Sequence, residues 1–146
     1  MTVKKLQHYN IRTTRYDETV MFYRQVLGMR SVRPPGVPDE APPTWLCDEA
    51  GEAVVHLIPV DPENPEESYS KVVRFRGEPS EKSPVSFTGS GSIDHVAFAC
   101  DGWDEMLARL RAQNLPYTEN HLARFNLHQL FIIDPNGVTL ELNFEL

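Results

Sequence analysis

Cysteine is scarce in this chain. Of 146 residues only Cys47 and Cys100 carry a thiol, and they form no CxxC pair. That excludes a disulfide framework and a thiolate zinc site, and it gives no sign of export. Long apolar runs are missing as well: no stretch approaches the ~20 residues of a membrane span. The opening Met-Thr-Val-Lys-Lys-Leu-Gln-His lacks the apolar run of a signal peptide. Basic residues are outnumbered, 14 Lys and Arg against 21 Asp and Glu, for a formal net charge of −7. Nucleic acids and acidic membranes attract the opposite sign, so neither is expected as a partner, and the cytoplasm is the default location. No Ser or Cys nucleophile motif stands out, and Gly89-Ser90-Gly91 is too short for a phosphate loop. What remains, 40% hydrophobic and 24% charged, fits one globular domain with a real core.

The most legible stretch is the last. Gln129 to Ile133 and Val138 to Phe144 are β-type runs around Asp134-Pro135-Asn136-Gly137, which reads as a hairpin. Pro135 presets φ for a type I turn, and Gly137 can take the left-handed conformation that follows. The resulting register pairs Asp134 with Val138, Phe131 with Glu141 and Gln129 with Asn143. It puts Leu130, Ile132, Val138, Leu140, Leu142 and Phe144 on one face, and leaves Thr139, Glu141 and Asn143 on the other. A carboxylate thus stands mid-strand, away from the apolar layer.

Earlier in the chain, Leu6 to Ile11 reads as a strand with His8 and Asn10 on one face. Asp17 to Leu27 has helical spacing, with a Phe22, Tyr23, Val26, Leu27 stripe and Gly28 as its stop. Met29 to Val32, Thr44 to Cys47 and Ala53 to Pro59 read as strands. His56 shares a face with Val54 and Ile58 in the last of these. Segment 61–92 is rich in Pro, Glu, Ser and Gly. It reads as either a linker or a lid, interrupted by a short strand from Val72 to Phe75. Ile93 to Cys100 is a strand. A helix follows, with Asp101 as its N-cap and Trp103, Met106, Leu107 and Leu110 as its stripe. Tyr117 to Glu119 reads as a strand and His121 to Asn126 as a loop.

The two halves therefore repeat one order: a strand with a His, an amphipathic helix, then three strands. From His8 to His56 is 48 residues, and from His95 to Glu141 is 46. The residues that carry this order are Gln7-His8-Tyr9-Asn10-Ile11, Phe22-Tyr23 through Leu27-Gly28, Asp94-His95 through Phe98, and Asp134 through Glu141. As an ordered set they resemble the vicinal oxygen chelate family, which includes glyoxalase I, methylmalonyl-CoA epimerase, bleomycin-binding proteins and type I extradiol dioxygenases. The resemblance implies an α+β fold. Two βαβββ modules, about 4–60 and 93–146, would form a curled mixed sheet around a metal cleft, joined by the 61–92 segment.

It also implies a site. Family ligands come from the first and last strand of each module, which gives His8, His95 and Glu141, with His56 as a fourth candidate. His56 is equally a candidate unligated acid–base group. Imidazole and carboxylate suit one divalent Fe, Zn, Mn, Co or Ni ion with open positions for substrate. Asn10, Trp45, Gln129, Phe131 and Asn143 are candidate pocket walls, as are Tyr69, Phe75 and Phe87. His121 is a second acid–base candidate if its loop folds over the site, and a surface residue otherwise. His128 pairs with Phe144 and reads as structural.

Three activities follow from the resemblance. The favoured one is a lyase or isomerase of glyoxalase or epimerase type on a small oxygen-bearing substrate, although this chain has His56 where glyoxalase I has a Glu. The alternative is an Fe(II) extradiol dioxygenase on a catecholic ring, for which Phe131 replaces the family's Tyr. The third is a non-catalytic drug binder. A homodimer is expected, with each site either within one chain or shared between two.

Overall fold

The computed structural model describes residues 6–65, 88–90, 93 and 95–145. The expected strand Val72–Phe75, the possible lid, and Tyr69, Phe75 and Phe87 lie outside the described residues.

Two four-stranded sheets are built on the same plan. In the first, β1 (Tyr9–Thr13), β2 (Arg30–Val32), β3 (Trp45–Cys47) and β4 (Ala53–Pro59) lie in the order β1-β4-β3-β2. In the second, β5 (Val96–Cys100), β6 (Thr118–Leu122), β7 (Leu127–Ile133) and β8 (Thr139–Glu145) lie in the order β5-β8-β7-β6. Each first strand runs parallel to its last strand, and the other neighbours are antiparallel. A parallel pair requires a long crossover, and in each half a helix lies in that crossover: α1 (Tyr16–Gln25) or α2 (Trp103–Ala112). The two βαβββ modules are therefore present. Each module forms its own four-stranded mixed sheet with its own strand order.

Period-two patterning decides which face each strand buries. Ile11, Val55, Leu57, Leu130, Ile132, Leu140, Leu142 and Phe144 enter one continuous core. It also receives Val20, Phe22 and Tyr23 from α1 and Met106, Leu107 and Leu110 from α2. Truncating one of these leucines to Ala costs about 2–5 kcal/mol by lost transfer energy and cavity formation. Helix α1 ends where Gly28 adopts φ +69, and Met29 N–H bonds the Tyr23 carbonyl at 3.0 Å. A β-carbon at Gly28 would also stand 3.2 Å from the Arg109 guanidinium.

The closing hairpin forms in the expected register, Phe131 opposite Glu141 and Gln129 opposite Asn143. Gly137 has φ +80 and bonds back to the Asp134 carbonyl. Three local expectations need correction. Asp101 is not the N-cap of α2; Gly102 is, in a left-handed conformation with no side-chain cap. His121 belongs to β6, which extends to Leu122 before a 3-10 turn over Ala123–Phe125. Strands β1 and β5 start later than expected, so His8 and His95 stand just before them.

A buried polar seam ties the modules together. Tyr23, with no exposed surface, donates to Asp134 Oδ2 at 3.1 Å, and Tyr9 and Tyr23 share a 3.0 Å hydroxyl–hydroxyl bond. Asp134 Oδ1 accepts the backbone N–H groups of Asn136 and Val138, both at 2.8 Å. Asn136 Nδ2 donates to Thr19 Oγ1 at 3.0 Å. The turn motif of module two is thereby fastened to α1 and β1 of module one. Among the described residues no helix is long and apolar enough to cross a membrane.

Candidate metal and substrate face

The face of each sheet turned away from the core carries the candidate ligands. In sheet one, Asn10 stands opposite His56 across the parallel β1–β4 pair, with Val54 and Ile58 flanking His56 on the same face. His8, two residues before Asn10, stacks on His56 with ring centres 3.9 Å apart and planes 17° apart. Trp45, opposite His56 on β3, stacks with it at 4.9 Å and 14°. The result is a stack of three near-parallel rings. In-plane lone pairs of parallel rings run side by side and do not converge, so His8 and His56 do not chelate a common ion as they stand. Burial lowers the His56 pKa, and the neighbouring His8 lowers it further, against a smaller opposing effect of a backbone bond at Ala53. The neutral imidazole, with a free lone pair, is therefore favoured.

Sheet two repeats the arrangement with different chemistry. Ala97 stands opposite Glu141 across the parallel β5–β8 pair, and His95 again lies two residues before. His95 Nε2 is 3.2 Å from Glu141 Oε2, with side chains 36% and 12% exposed. Glu141 Oε1 accepts hydrogen bonds from Asn143 Nδ2 at 2.7 Å and Gln129 Nε2 at 3.0 Å. Gln129 Nε2 also reaches Asn143 Oδ1 at 2.9 Å. Two amides thus fix one carboxylate oxygen and leave the other facing the imidazole. Phe131 meets the His95 ring edge-on at 5.9 Å.

The donor set can be tested against a metal. Ligands at about 2.0–2.2 Å from one cation, at angles between square and tetrahedral, are about 2.8–3.6 Å apart. The His95–Glu141 separation of 3.2 Å fits neighbouring ligands. Nitrogen and oxygen donors of this kind suit Zn, Fe, Mn, Co or Ni. Among the described residues, no three His, Cys, Asp or Glu side chains gather at one point. The chain brings His8 to His56 and His95 to Glu141 but does not gather His8, His95 and Glu141 into one cluster.

The other candidates divide by face. Asn10, Trp45, Gln129, Phe131 and Asn143 lie on the ligand faces. His121 does not: it pairs with His128, which pairs with Phe144, on the core side of sheet two, opposite Glu141. Arg12 was missed by sequence reasoning. It continues the His8, Asn10 face of β1 and is half-buried. Its position two residues beyond Asn10 was the available signal.

The family model described as the Glyoxalase/Bleomycin resistance protein/Dioxygenase superfamily matches residues 5–142. Comparison with curated proteins gives no match. Among solved structures, a glyoxalase/dioxygenase from Nostoc punctiforme is similar with TM-score 0.64 and 15% identity, over 98% of this chain and 92% of that one. A lactoylglutathione lyase from Agrobacterium tumefaciens gives 0.58 and 17%, over 99% and 96%. An antibiotic binding protein from Streptomyces sp. CB03234 gives 0.60 and 15%, over 100% and 99%. At such identities the likeness is one of fold.

Proposed function

The chain belongs to the Glyoxalase/Bleomycin resistance protein/Dioxygenase superfamily, and on that footing we propose that it is a metal-dependent enzyme acting on a small oxygen-bearing organic substrate, of lyase or isomerase type. The observation that carries the reading is the repeated donor pair. A histidine before the first strand meets a metal-competent side chain on the last strand, in both modules and on the same face.

His95, Glu141 and His8 would hold one divalent ion, which would supply Lewis acidity toward two substrate oxygens. The remaining roles belong to the chain. Gln129 and Asn143 hold Glu141 in one rotamer. His56, favoured as the neutral imidazole, takes the proton from the carbon beside a carbonyl, which general base catalysis requires. Trp45 keeps the His56 ring plane fixed. Arg12 adds a permanent positive charge to the His8 face, suited to an acidic oxygen on the substrate. His8 and the His95–Glu141 pair would be brought together by a second copy of the chain, as a homodimer sharing its sites.

A second reading is kept because the His, His and Glu donor types also suit Fe(II) ring cleavage. Phe131, packed edge-on to His95, offers no hydroxyl there. Metal analysis and two assays separate the readings. Zn, Ni, Co or Mn content with solvent-deuterium exchange into a 2-oxo or thioester compound supports the lyase or isomerase. Iron with oxygen consumption on a catechol supports the dioxygenase. Full metal occupancy retained in His8→Ala, His95→Ala and Glu141→Ala alike overturns both.

A further inference from the structure

On the other side of sheet two, away from Glu141, lies a second pair of imidazoles. His121 on β6 and His128 on β7 are directly opposed across an antiparallel pair. Their ring centres are 4.3 Å apart and their planes 84° apart. The pair is held from behind: Trp103, at the start of α2, lies 4.7 Å from the His128 ring and packs edge-on against Phe144 at 5.3 Å. His121 is exposed and His128 half-buried, so the pair opens to solvent on one side while one ring is fixed by packing.

We propose that His121 and His128 form a second transition-metal site, distinct from the face that carries His95 and Glu141, for a nitrogen-seeking divalent cation of which Cu(II) is the strongest binder. The geometry carries the proposal. A metal about 2.0–2.1 Å from an imidazole nitrogen lies roughly 3.2 Å from the ring centre, so two imidazoles at a right angle on one ion have centres about 4.5 Å apart. The observed 4.3 Å separation matches that arrangement, and the crossed planes let each ring turn a nitrogen toward a shared ion. The stacked His8–His56 pair, with planes 17° apart, does not. Two imidazoles with water in the remaining positions suit tetragonal Cu(II) first and Ni(II) or Zn(II) less tightly, following the general affinity order of these ions. The site needs neither a second chain nor the proposed activity, so it stands or falls independently of both.

The chain contains two tryptophans, and each lies against one histidine group: Trp45 on His56 and Trp103 on His128. In Trp45→Phe protein, emission therefore comes from Trp103 alone. Titration of that protein with CuCl2 is expected to quench the emission saturably, at one equivalent per chain beyond any copper taken up by His95 and Glu141. Adding His121→Ala is expected to weaken the quenching at least tenfold, and His128→Gln likewise. His121 is exposed, so its variant keeps the fold by far-ultraviolet circular dichroism and decides the matter even if His128→Gln does not fold. Quenching in the His121→Ala protein within twofold of the parent, or no saturable quenching in the parent, overturns the proposal.

Discussion

His56 and Glu141 are the same position in two copies of one module. Each lies on the last strand of its sheet, opposite the residue two places after its partner histidine, Asn10 in one case and Ala97 in the other. Each also touches that histidine, His8 or His95. The two copies have diverged in what the last strand offers. Module two supplies an anionic oxygen locked by amides. Module one supplies a neutral ring sandwiched between His8 and Trp45. One half thereby offers an anionic donor, and the other offers a neutral imidazole.

The locking amides give the first expected outcome. Gln129→Leu removes a hydrogen bond to Glu141 Oε1 and another to Asn143. Groups that orient a ligand typically contribute 10–100-fold to metal affinity. Chelator competition on Gln129→Leu protein is expected to show a loss in that range with the fold intact. Unchanged affinity would mean that Glu141 needs no orienting partner or binds no metal.

Much of this arrangement could be read from the chain. The hairpin register was legible because Pro135 and Gly137 admit one turn and a one-residue slip would expose Leu140 and Leu142. The repeat was legible because His8, His56, His95 and Glu141 fall at matching places along it. Other features were not. Asp101 looked like a cap by residue type, but the αL backbone of Gly102 starts the helix instead. His121 reads as loop because Glu119 and Asn120 before it are polar, yet cross-strand pairing with His128 extends β6 through it. The His8–His56–Trp45 stack depends on ring orientations, which no strand pattern encodes.

The buried tyrosines set an alkaline limit on stability. Burial raises the pKa of both Tyr9 and Tyr23 well above the ordinary phenol value, and the charge of Asp134 adds to each. The folded state therefore keeps protons that the unfolded chain releases above about pH 10. Stability is full below that pH and falls as pH rises toward the folded values, by up to about 1.4 kcal/mol per pH unit for each tyrosine. Urea unfolding from pH 8 to 11 is expected to show the fall. Tyr23→Phe should lower stability by about 1–3 kcal/mol at pH 8, because Asp134 loses a buried donor, and should flatten the alkaline slope. An equal slope in the variant would remove Tyr23 from this role.

Cys100 is expected to be a poor nucleophile. Burial pushes its pKa up to about 11, the charge of Asp101 adds, and a backbone bond at Asn143 opposes them less strongly. Only the thiolate reacts, so at pH 8 the reactive fraction falls on the order of 100-fold below that of an ordinary thiol. Cys47 is buried outright. Iodoacetamide labelling of native protein at pH 8 should therefore be at least that much slower than labelling in urea. Fast native labelling of Cys100 would contradict the burial that raises its pKa.

Whether a second chain completes the site can be decided by mixing two damaged proteins. If His8 of one chain serves with His95 and Glu141 of its partner, a heterodimer of His8→Ala and Glu141→Ala chains holds one site with both lesions and one with neither. Random reassociation makes about half of the dimers mixed, so about a quarter of wild-type sites should return, read as metal bound per chain after co-refolding. If each site lies within one chain, every site in every dimer keeps one lesion and nothing returns. The same mixture made from His95→Ala and Glu141→Ala chains is the internal control. Those two lesions fall on the same module, so every site in every dimer keeps one of them, and the bound metal should stay at the level of the unmixed proteins.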